Sequence, residues 1–329
     1  MLIHATPAQA LFILRAMRAV VAGRLTDADR AALLGAHAYV FRGTEPFDPD
    51  ALAPIEPTDL AAVLPDPDQR DHTAQFLTVM ALVDGTVDDV RIARVLAFAD
   101  ALDVHADYVR ELGALGKRQL DWVRADIQRQ NLRSVTGRDV DLDEDTWLLP
   151  YQGTNADPAL VARYQALGTL PAGSFGRAFF DFYVAYGFSF PGDPRSVNEA
   201  FARPHDSTHV LSGYDTTPRG ELLVSTFTAG MHPQQPMSGH ILPVILSWHC
   251  GIELVKLAGA TTGKLDPRKF WVAWERGTDV TTDVFAAGWD FWDVASEPVA
   301  RWRTRYGVPP LDPNDAAHDT VPAWYRPVQ

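Results

Sequence analysis

Two histidines stand four residues apart in Pro204-His205-Asp206-Ser207-Thr208-His209. On a helix that spacing sets both imidazoles on one face, about one turn apart. Asp206 lies three residues before His209 and borders the same face. Pro204 suits the opening of such a helix, since proline is favoured at the first helical position. Farther on, Gly220-Glu221 leads into the apolar run Leu222-Leu223-Val224. Glu221 is therefore expected in the first turn of the next helix, with Gly220 letting the backbone approach. Two imidazoles and two carboxylates from adjacent helices are a ligand set for a divalent transition metal. The expected centre is one ion held by His205, His209 and Glu221, with Asp206 as fourth ligand or as the group that orients one.

Other chemistry-bearing residues read more plainly. His249 and Glu253 fall at i and i+4 in an apolar helix expected over 241–257. An intrahelical hydrogen bond accounts for that pair. Asp84, Asp88 and Asp89 lack the central Gly and closing Glu of a calcium loop, so they are turn and cap residues. Gly-rich phosphate loops and a Gly-x-Ser-x-Gly nucleophile elbow are absent.

The elements that must position these groups are helical. Thr6-Pro7 opens a helix carrying Leu11, Leu14, Met17, Val20 and Val21 at helical spacing, and Thr26-Asp27 caps a second. Prolines at 46, 49, 54, 57, 65 and 67 predict loops and short turns across 44–67. An apolar helix through Phe76, an Asp84-Gly85 turn, a helix led by Asp88 or Asp89, and a long charged helix over 108–133 follow. Residues 139–157 hold Asp141, Asp143, Glu144 and Asp145, then Pro150 and Gly153, and read as a connection. Beyond it come a helix over 159–168, an aromatic helix capped by Ser174 and closed by Gly187, and the two helices of the candidate site. A loop over 231–239 separates these from the 241–257 helix. Trp271, Trp274, Trp289, Trp292 and Trp302 are expected on helices, mostly in the core. The second half shows no alternating strand pattern. The expectation is an all-α fold of two helical domains, 1–138 and 159–329, joined by a linker at 139–158.

A chain of 329 residues with 47% apolar content has ample material for packed cores. Its net charge of −13 disfavours phosphate-backbone binding, so no nucleic-acid partner is expected. Cys250 is the single cysteine, which rules out an intrachain disulfide and fits a reducing cytosol. No run approaches the length of a spanning helix, and Met1-Leu2-Ile3-His4 lacks the features of a signal peptide. A cytoplasmic protein is expected, with any lipid contact peripheral to the inner face of the membrane.

Three stretches resemble the coenzyme Q biosynthesis protein four (Coq-four) family: residues 170–177, the His205-Asp206-x-x-His209 motif with Glu221 after eleven residues, and the tail from Gly277 through Gly288-Trp289 to 298–307. The likeness covers the second half. Residues 69–104 are similar, on a less specific pattern, to the TerB-like tellurite-resistance helical domain. The Coq-four resemblance implies an all-helical fold and a divalent metal, usually zinc, bound by His205, Asp206, His209 and Glu221. It also implies work on the head group of a prenylated hydroxybenzoate or quinone precursor, by removing the ring carboxylate and hydroxylating that carbon. The alternative role is a non-catalytic organiser of the ubiquinone-synthesising complex. Expected partners are the prenylated precursor or another isoprenoid lipid, quinone-biosynthesis proteins, and a second copy of the chain as a homodimer.

A cation in such a site binds carboxylate or phenolate oxygen as a Lewis acid. Zinc is redox-inert, so a reaction that consumes oxygen calls for iron or for electrons supplied by the substrate. Two rivals stand beside this reading. One is a zinc metallohydrolase, from which His-Asp-x-x-His departs by Asp for Glu. The other is a metal-stapled prenyl-lipid scaffold without turnover.

Overall fold

The structure, a computed structural model, describes residues 3–21, 23–137, 156–254 and 259–325. Among them the fold is all-α. Nine elements build the first half and its junction: α1 (Pro7–Val20), α2 (Asp27–Gly35), α3 (Pro57–Val63), α4 (Pro67–Leu82), α5 (Asp89–Ala101), α6 (Asp107–Gly116), α7 (Leu120–Thr136), α8 (Pro158–Ala166) and α9 (Phe175–Tyr186). Six more follow: α10 (Glu199–Ser212), α11 (Pro218–Met231), α12 (Leu242–Trp248), α13 (Pro267–Thr278), α14 (Phe291–Val294) and α15 (Val299–Arg305). Strand-like pairing among the described residues is confined to isolated bridges, Ser174 with Pro298 and Cys250 with Thr262. Residues 139–155 of the linker expected at 139–158 lie outside the described residues, and Pro158 opens α8.

Local signals explain most starts and stops. Thr6 and Thr26 each close a capping box, accepting from the N–H of Gln9 and Asp29. Asp88 caps α5 with two backbone N–H bonds. Ser174 caps α9, and Gly187 ends it at φ +68°.

Several expectations need correction. Pro57 and Pro67 open α3 and α4 rather than marking loops, because a missing N–H costs nothing at the first helical position. The single helix expected over 108–133 is two, broken at 117–119 where Arg118 takes φ +59°. α10 begins at Glu199 behind an Asn198 cap, so Pro204 lies inside the helix and does not start it. The loop over 231–239 is partly helical: α11 runs to Met231 and a π-helix spans Pro236–Ile241. The apolar helix over 241–257 stops at Trp248. His249 instead bridges tertiary neighbours, with Nε2 2.9 Å from the Val83 carbonyl and Nδ1 accepting from the Leu265 N–H at 3.2 Å. Glu253 is therefore not on a helix with it, and residues 255–258 lie outside the described residues. Of the five tryptophans, Trp271 and Trp274 are buried on α13, whereas Trp289 lies off any helix, and Trp289, Trp292 and Trp302 are half-buried at the edge of the core.

Two apolar cores form. The first gathers α1–α7 with residues of α11, α12 and α13, among them Leu222, Ile245, Phe270 and Trp271. The second gathers α8–α10 and the tail with Leu223, Val224, Phe227 and Ala273. α11 and α13 thus feed both cores from opposite faces. A helix apolar on both sides is one with no solvent face to spare. This pair forms a partition, and α11 is the helix that presents Glu221.

Candidate metal centre

α10 carries three of the four expected residues, and its C-terminal end is held firmly. Gly213 closes it at φ +86°, donating its N–H to the His209 carbonyl at 2.8 Å. A Cβ there would stand 2.8 Å from the Tyr325 ring, so both backbone and space call for glycine. Arg303 donates to the carbonyls of Val210 and Leu211 at 2.7 and 3.2 Å, and Arg276 to that of Ser212 at 2.9 Å. Two guanidinium groups satisfy the helix-end carbonyls, where positive charge is also favoured.

α11 is set by a tight turn. Asp215 accepts from the N–H and hydroxyl of Thr217, which in turn caps α11 through the Gly220 N–H. A Cβ on Gly220 would meet the Asp215 carbonyl oxygen at 2.1 Å, so this approach too needs glycine. The turn folds Glu221 back over α10.

The four residues meet. His205 Nε2 lies 3.4 Å from Glu221 Oε2, and His209 Nε2 lies 3.4 Å from Glu221 Oε1. The imidazole rings are 4.9 Å apart and inclined by 23°. His205, Asp206 and His209 each offer a ligand atom within 4.8 Å of the others. Asp206 also accepts the Tyr183 hydroxyl at 2.5 Å. Donor atoms about 2.1 Å from one tetrahedral ion lie about 3.4 Å apart. Both His–Glu separations are of that size, and they end on different oxygens of Glu221, so the carboxylate spans the two imidazoles. His209 Nδ1 is 2.8 Å from the Tyr214 carbonyl, which can only accept, so Nδ1 carries the proton and Nε2 faces Glu221. The donor set fits a divalent ion. Among the described residues the three whose ligand atoms lie within reach of one another are His205, Asp206 and His209; Glu221 stands against both imidazoles, and Tyr183 holds Asp206.

Burial pushes the His205 imidazole well below its ordinary value, and the charge of His209 pushes the same way, so His205 is neutral as a ligand must be. Burial also lowers His209, but Glu221, Asp206 and the Tyr214 carbonyl outweigh it and raise the group. A proton on His209 Nε2 therefore occupies the place an ion would take, and ion uptake would release it. Burial lifts the Asp206 carboxyl to about 7 against the pull of His209 and Tyr183.

Behind His209, the Phe182 ring stacks at 5.2 Å and is backed edge-on by Trp324. In front, His205 and Glu221 open on a cavity of about 160 Å³. Ile127, Phe201, Val244, Trp248, Leu254 and Phe285 give it chiefly apolar walls. A dry cavity of about 150 Å³ accepts one benzene-sized ring. α7 closes one side through side-chain bonds to the 234–254 segment: Arg124 to the Glu253 carbonyl at 2.8 Å, Gln128 to Leu254 at 3.2 Å and Asn131 to Gly239 at 2.6 Å.

The three stretches that carry the family resemblance converge. The N–H groups of Phe175 and Gly176 donate to the carbonyls of Glu297 and Ala295, each at 2.8 Å, and Arg303 of the tail holds α10. Sequence reasoning missed Tyr183, Ser134 and His240, all close to the site. It treated Tyr183 as one of an aromatic stripe, and nothing near Ser134 or His240 in the chain marks them. No protein-family model, curated protein or solved structure matches the chain.

Proposed function

We propose that this protein binds one divalent ion through His205, His209 and Glu221 and acts on the ring head group of a prenylated hydroxybenzoate or quinone precursor. The reading is carried by one observation: two imidazoles with the carboxylates of Asp206 and Glu221 about them stand at the end of a ring-sized, chiefly apolar cavity. The bound ion, zinc or iron, supplies a Lewis acid for a carboxylate or phenolate oxygen. The chain does the rest. His205 and Glu221 present the centre to the cavity, while Tyr183 and the Tyr214 carbonyl fix Asp206 and His209 behind them. The apolar walls exclude water and orient the ring. One ring fills the space, so a prenyl chain leaves through the cavity mouth. The family resemblance supplies the reaction: the ring carboxylate would depart as carbon dioxide, one atom of dioxygen would take its carbon and the other would leave as water, the two electrons coming from the ring, which ends as the 1,4-quinone.

Such a ligand implies peripheral contact with the membrane that stores it, and no helix among the described residues is long and apolar enough to cross one. Quinone-biosynthesis proteins are the partners this role calls for. The metallohydrolase reading fits less well, because Asp206, its would-be general base, is engaged by Tyr183 and does not line the cavity.

Elemental analysis of chain purified without chelator or nickel resin tests the centre: one ion per chain is expected, and near none in His209→Ala. Incubation of the loaded protein with geranylated 4-hydroxybenzoate and dioxygen tests the chemistry. Product with loss of carbon dioxide supports the enzyme. Tight binding without turnover leaves the metal-stapled scaffold, and peptide cleavage would revive the hydrolase.

A further inference from the structure

His240 lines the same cavity as His205 and Glu221 but is no part of the ligand set. Its Nε2 lies 2.7 Å from the Ser134 hydroxyl. That hydroxyl also reaches the Gln234 carbonyl at 3.0 Å. A hydroxyl has one proton, and a carbonyl oxygen can only accept. With Ser134 donating to Gln234, its oxygen is left to accept from His240. That arrangement gives the tautomer in which Nε2 of His240 carries hydrogen and Nδ1 keeps a lone pair.

A second histidine guards that state. His232 places Nδ1 2.8 Å from Asp283 Oδ2 and Nε2 3.1 Å from the Ser134 carbonyl. Both partners are acceptors, so whichever ring nitrogen carries hydrogen finds one. Its ring lies 5.6 Å from that of His240. Burial, reinforced by the charge of His232, holds His240 down at about 3, so it is neutral across the physiological range. The result is a buried acceptor kept from protonation, on a wall otherwise largely apolar.

We infer that His240 Nδ1 receives the hydrogen bond of a hydroxyl on the ring that occupies the cavity, so that the site selects hydroxyl-bearing rings over rings that lack the group. The inference rests on the ring-binding metal centre proposed above and adds the substrate feature that the far side of the cavity reads. His240 then contacts the ligand directly, and Ser134 is its positioning residue. A ligand without the hydroxyl leaves a buried acceptor unpaired, and a site built to bond a hydroxyl rejects such an analogue strongly.

Two measurements on the zinc-loaded full chain test this. Long-range ¹⁵N–¹H correlation, with the His240 signal assigned by its loss in His240→Leu, reads the tautomer with no ligand added. Nε2–H is expected, and an Nδ1–H tautomer or an imidazolium at neutral pH overturns the inference. Calorimetry then compares 3-geranyl-4-hydroxybenzoate with 3-geranylbenzoate. The hydroxylated probe should bind at least about ten-fold more tightly. The ratio should fall below about three-fold in His240→Leu and in the gentler Ser134→Ala, which frees the tautomer. Equal binding of both probes by the native chain refutes the role of His240 while leaving the ring-binding centre standing. Binding of neither sinks that centre as a ring site, and this inference with it.

Discussion

Tyr183 is the side chain without metal-binding chemistry that would set the proposed metal centre. It donates to Asp206 from α9; the tyrosine is buried and the aspartate half-buried. Tyr183→Phe keeps the ring stacked on Phe179 and Phe190 but leaves Asp206 without that donor. Outer partners of this kind are worth roughly 10- to 100-fold in metal affinity. Competition against a chromogenic chelator should show a loss of that size in Tyr183→Phe, with the ion still one per chain at saturation. Unchanged affinity would remove Asp206 from the orienting role. The His205–His209 pair was legible in the sequence because helical periodicity places residues four apart together. Tyr183 was not, since its partner lies 23 residues away on another helix. Ser134 and His240, 106 residues apart, were beyond any local pattern.

Helices with good caps were legible for the same local reason, and their interruptions were not. The early end of α12 goes with tertiary bonds, those of His249 to Val83 and Leu265. Also hidden was the crossing of α11 and α13. There the backbones nearly touch: a Cβ on Gly277 would meet the Phe227 carbonyl oxygen at 2.1 Å, and one on Gly230 the Trp274 carbonyl oxygen at 2.7 Å. Neither neighbour is a flexible side-chain tip, so the helices themselves must part. Gly277→Ala should destabilise by about 3 kcal/mol, the upper part of the usual overpacking range. It should also weaken metal binding, because α11 carries Glu221. Gly288→Ala is the control, since nothing lies within 4 Å of a Cβ there, and it should stay within about 0.5 kcal/mol of the native chain. Urea midpoints decide it. A Gly277→Ala chain as stable as the control would mean the crossing is looser than these distances imply.

The halves of the molecule also meet across a buried carboxyl. Glu111 of α6 is 1% exposed, and both its oxygens lack a hydrogen bond. Asp126 of α7 stands beside it, and the hydroxyl of Ser238, in the π-helix that leads to His240, approaches without closing a bond. Burial lifts the Glu111 carboxyl to about 8, and the charges of Asp126 and Asp107 push the same way, against the Ser238 hydroxyl. In the unfolded chain the group returns to its ordinary value of 4.5. The sign follows from linkage. The folded state binds the proton more tightly, so this group stabilises the fold fully below about 4.5, and the stabilisation drains away as pH rises to about 8. A tenfold change in proton affinity is worth about 1.4 kcal/mol, so the whole effect is a few kcal/mol. Glu111→Gln keeps the shape and cannot ionise. Its stability should match the native chain near pH 5 and exceed it above pH 8, with the gap opening through the window between. Thermal unfolding of both chains at matched ionic strength reads this directly. If the two curves run parallel across that range, Glu111 does not hold its proton at the junction of the two halves.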